Sequence, residues 1–170
     1  MPAILVASSA VRAHPLTGPL VVLAGALTLL LVSFLTWYRV DLGAISGGAR
    51  FAARYAAQNG IATSANAWDP WSTPAGLVLF VSVASAIGLA ITGVATGARS
   101  MGAAAGAMAA GAAASILVVL HILSGPQPRD VVHVTGWAWV GLVCALVVLG
   151  GGFVWWDHTQ HPVPAARAAA

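Results

Sequence analysis

The sequence predicts an all-α membrane protein, a four-transmembrane-helix bundle with a long, structured first extracytoplasmic loop. Three observations predict it. The chain is 59% hydrophobic and only 6% charged, whereas a soluble domain carries about 25% charged residues to cover itself with polar surface. Four continuous apolar runs approach the ~20 residues that a bilayer core demands. Tryptophan and tyrosine gather where those runs begin and end, in "FLTWYRVD" and "NAWDPWSTP", as rings with one polar atom do at headgroup level.

The elements follow in order. Residues 1–18 are only half apolar and read as a cytoplasmic or interfacial segment. The first span runs from Pro19 to Tyr38; its apolar stretch exceeds that of a cleaved leader and no A-x-A site follows, so it reads as an anchor. Residues 39–74 form the first outer loop, too long for a simple connection and therefore expected to have structure or a task. Within it "GGARFAARYAAQNG" reads as a helix, with Phe51 and Tyr55 on one face, Arg50 and Arg54 on another, and glycines near both ends. Such a helix either covers the outer mouth of the bundle or lies on the membrane plane. Spans two and three, Ala75 to Thr96 and Met101 to Leu123, are joined by the turn "GARS". A second outer loop, 124–136, leads to span four, Trp137 to Trp156, and residues 157–170 read as a disordered cytoplasmic tail. Arg99, alone in the shortest turn, places that turn and both termini in the cytoplasm.

With this topology Trp37, Tyr38, Trp137 and Trp139 form an aromatic belt at one interface, and Trp155 and Trp156 mark the other. Trp68 and Trp71, with Phe51 and Tyr55, are candidates for a docking patch, since aromatic rings are enriched at interaction hot spots. Gly102 and Gly106 form G-x-x-x-G at the start of span three, a spacing that lets helix backbones approach closely. Packing inside the bundle and contact with a foreign helix both satisfy that motif.

Catalytic chemistry finds little footing. The net charge of +3 comes from seven arginines against four aspartates, with no Lys and no Glu, and no charged residue lies in any span. This excludes the intramembrane carboxylates of proton-coupled transporters, and so small a surplus is no nucleic-acid footprint. There is no phosphate-cradling loop, no nucleophile elbow and no H-E-x-x-H. Besides the lone Cys144 and Tyr38 at the very end of span one, His121 is the only ionisable side chain in a span; a neutral, hydrogen-bonded imidazole is expected there, with a haem ligand as the alternative. "DHTQH" has too few fixed ligands for zinc. No metal, cofactor or catalytic residue is expected.

The W-Y pair closing the first span and the A-W preceding the second resemble small four-span actinobacterial membrane proteins of mostly unknown function. The large first and small second outer loops are similar in topology to claudin-like tetraspans, although the loop lacks that family's cysteines. The chain also looks like the accessory subunit found with mycobacterial Mce lipid importers. The resemblance implies a non-enzymatic accessory or stabilising subunit of a cell-envelope complex, one serving lipid transport where the Mce likeness holds, with membrane lipids and other integral subunits as partners. A haem-linked subunit using His121 and a homo-oligomeric pore are the alternatives.

Overall fold

A computed structural model of the chain describes residues 14–42, 48–68, 73–124 and 131–161. The protein is mostly helical. In chain order it forms α1 (Thr17–Ser33), β1 (Tyr38–Val40), α2 (Ala49–Gln58), β2 (Ser64–Ala65), α3 (Thr73–Ala95), α4 (Met101–Leu123), β3 (Val132–Val134) and α5 (Gly136–Gln160). Helices α3, α4 and α5 are long and apolar enough to cross a membrane, and α1 is a shorter apolar helix. Trp71, the Asp69-Pro70 pair, the segment before His14 and the tail beyond His161 lie outside the described residues.

Two boundaries differ by four residues or more from those the sequence predicts. The first apolar run continues to Tyr38, but the helix stops at Ser33. Trp37 folds back and its indole N–H donates to the carbonyl of Val32 at 2.9 Å, a last-turn carbonyl that also accepts the backbone N–H of Leu35. At the other end of the chain α5 continues past Trp156 to Gln160. Asp157 and His158 therefore belong to its last turns and not to a tail.

The four apolar helices pack side by side in a closed order, α1 beside α5 and α3, α4 beside α3 and α5. Lipid provides no hydrophobic drive between helices, so close approach of backbones must replace it. Several glycines make that approach, Gly111 and Gly151 among them. A Cβ at Gly111 of α4 would stand 2.6 Å from the backbone nitrogen of Leu149 in α5, and one at Gly151 of α5 would stand 2.9 Å from that of Val22 in α1. The core they close is rich in alanine, and the gap bounded by Ala26, Leu29, Ser82, Val83 and Val148 admits no water.

A small antiparallel sheet, in the order β2-β1-β3, covers one end of these helices. Tyr38 pairs with Ala65 on one side and Val134 on the other, and Arg39 faces His133 across β3. The sheet thus ties the connection after α1 to the connection before α5. It is absent from the sequence reading. The apolar-polar alternation of Tyr38-Arg39-Val40 and Val132-His133-Val134 carries its signal, in runs of three residues.

Candidate functional site

Both ends of the helix assembly are closed by a tryptophan. At the sheet end Trp37 is fully buried, and it fits because Gly141 has no side chain; a Cβ there would lie 2.8 Å from the ring. Beside it the Tyr38 hydroxyl donates to the carbonyl of His121 at 2.5 Å, and burial pushes this phenol up to about 12. At the turn end, where Gly97–Ser100 joins α3 to α4, Trp155 is fully buried. It is seated on Gly18 of α1 and Gly93 of α3, and its indole N–H donates to the carbonyl of Ala98 at 3.0 Å. Trp37, Tyr38 and Trp155 therefore plug the interior and do not face lipid, a correction to the aromatic belt. Trp137 and Trp139 do turn outward, about half exposed, and Trp156 is half-buried.

His121 is 4% exposed. Its Nδ1 lies 3.1 Å from the carbonyl of Leu117. A carbonyl only accepts, so Nδ1 carries the proton and Nε2 is left as a bare acceptor, buried and without a partner among the described residues. The Trp37 ring stands edge-on to the imidazole at 6.1 Å. Among the described residues no three His, Cys, Asp or Glu side chains gather where a metal could be held. His133 instead faces Asp41 at 4.0 Å on the exposed sheet, and Cys144 is a buried free thiol.

Of the residues singled out for docking, Phe51, Tyr55 and Trp68 are described, and they make separate ring contacts. Phe51 and Tyr55 stack on each other with centroids 6.3 Å apart and are 74% and 54% exposed. Helix α2 is anchored through Ala56, its buried residue, and Arg50 and Arg54 are exposed. Trp68 belongs elsewhere. Among the described residues its ring contacts Phe34 at 5.7 Å and Phe80 at 6.1 Å, after α1 and on α3, and its buried indole N–H has no partner there.

The G-x-x-x-G motif divides between two roles. A Cβ at Gly106 would stand 2.8 Å from Leu89 of α3, so that glycine serves packing within the chain, whereas one at Gly102 would meet open space. On the outward side of α4, Ala105, Ala109 and Ala112 form the floor of an apolar groove of about 380 Å³, walled by Leu149, Phe153 and Trp156 of α5. Comparison with protein-family models, with curated proteins and with solved structures finds no match for this chain.

Proposed function

We propose that the chain is a four-span protein of the inner membrane, with both termini cytoplasmic, that acts without catalysis as an accessory or stabilising subunit of a larger cell-envelope complex. The observation that carries this reading is the outward groove between α4 and α5. Its floor is three alanines at helical spacing and its walls are Leu149, Phe153 and Trp156. Small residues on one side and large rings on the other form a seat for a second apolar helix, because van der Waals contact is what joins helices in lipid. The stacked Phe51 and Tyr55 on α2 supply a second contact outside the bilayer. A lipid importer is the kind of complex that the sequence resemblance suggests.

The test is gentle detergent extraction from the native membrane and identification of co-purifying subunits. Ala109 is exposed at the groove floor, so Ala109→Leu fills the groove without touching the interior. The variant is expected to melt as the native protein does and to lose most of the co-purifying subunit. A chain that runs alone and monomeric across several mild detergents overturns the reading.

A further inference from the structure

The groove on α4 is wholly apolar, but a second cleft is not. It opens at the sheet end with a volume of about 510 Å³, lined by Thr36 and Arg39 after α1 and by Thr135, Gly136, Trp137 and Val140 at the start of α5. Its lining changes character along the helix direction. Arg39 and the two threonines stand where the apolar helices end, while Trp137 and Val140, both partly exposed, continue down α5.

Arg39 is exposed on β1 and makes no ion pair among the described residues. Asp41, on the same face of the strand, is engaged with His133. The Thr135 hydroxyl is committed to the carbonyl of Thr36 at 2.5 Å, which fixes the two walls relative to each other. Gly136 leaves the cleft open between them, since a Cβ there would meet nothing within 4 Å. A planar guanidinium matches a phosphate in a two-pronged bond, and this one is ion-paired with no carboxylate among the described residues. A cation above an apolar wall, at the level where Trp137 meets headgroups, reproduces the order of groups in a phospholipid.

We propose that this cleft binds the headgroup of an anionic phospholipid, with Arg39 on the phosphodiester and Trp137 and Val140 along the first methylenes of its acyl chains. The site rests on the four-span reading. An anionic headgroup is favoured over a zwitterionic one because a choline or ethanolamine ammonium would place a second cation beside the guanidinium.

The purified chain in detergent is titrated with phosphatidylglycerol, with phosphatidylcholine and with inorganic phosphate, and bound lipid is counted by native mass spectrometry. Phosphatidylglycerol is expected to bind at least tenfold more tightly than phosphatidylcholine, and inorganic phosphate is expected not to displace it. Arg39→Gln removes the cation and Gly136→Leu fills the cleft; each is expected to weaken the anionic lipid about tenfold while leaving lipid-free melting unchanged. Equal binding of both lipids, variants that bind as the native chain does, or displacement by phosphate overturns the proposal. Failure of the four-span reading looks different, because cysteines placed at Tyr55 and Arg99 would then be labelled from the same side of the membrane, whatever the lipid titration gives.

Discussion

Tyr38 joins β1 to the last turn of α4, where its hydroxyl meets the carbonyl of His121, one of the terminal carbonyls the helix cannot satisfy itself. Tyr38→Phe leaves that carbonyl buried and unpaired, and is expected to cost about 1–3 kcal/mol at neutral pH. Alkaline pH tests the same contact. The phenol is raised from 10.0 in the unfolded chain to about 12 in the folded one, so the folded state holds the proton more tightly. Its contribution is complete below pH 10 and drains as pH rises towards 12, by roughly 3 kcal/mol in all. Melting temperature in detergent should fall between pH 10 and 12 in the native protein, and Tyr38→Phe should flatten that fall. A variant with the same alkaline slope assigns the effect to other groups.

At the scale of elements, glycine positions separate contacts within the chain from faces left open. Gly111 and Gly102 both lie on α4, and both fit the small-residue spacing of its sequence. A side chain at Gly111 collides with the backbone of Leu149, which cannot move unless α4 and α5 part. Gly111→Val is therefore expected to lower stability by several kcal/mol, through overpacking and lost helix contact. Gly102→Val meets open space and should stay within about 0.5 kcal/mol of the native chain. Thermal unfolding of the two variants side by side decides the matter; equal losses would mean that α4 does not sit against α5 as described. Sequence alone could not rank these glycines, because in so alanine-rich a helix every face looks like a close-packing face. The ends of α1 and the strands were hidden for related reasons. Hydropathy continues through Trp37 and Tyr38, and nothing in residue type says that Trp37 turns inward onto Gly141. The strands are two or three residues long, below the length at which alternation stands out from chance. Ring type likewise could not tell a buried Trp155 from an outward Trp139.

For the whole molecule, the apolar runs were legible because a chain with 6% charged residues has few other ways to place its backbone polar groups than in helices within hydrocarbon. Three of the helices have the length and composition to cross. The shorter α1, 17 residues, spans only about 25 Å, less than a hydrocarbon core of about 30 Å. A crossing by α1, which the proposed four-span reading requires, would depend on flanking apolar residues such as Phe34 and Leu35, both exposed, and on local thinning of the bilayer. This makes sidedness the decisive property. Tyr55 and Arg99 are exposed and separated along the chain by α3, so a membrane-crossing α3 must put them on opposite sides. In a Cys144→Ala background, Tyr55→Cys should react with a membrane-impermeant thiol reagent in intact cells, and Arg99→Cys only after permeabilisation. His133→Cys, separated from Arg99 by α4, should behave as Tyr55→Cys does. Labelling of Arg99→Cys together with Tyr55→Cys from one side would remove α3 as a crossing helix, and the four-span assembly with it.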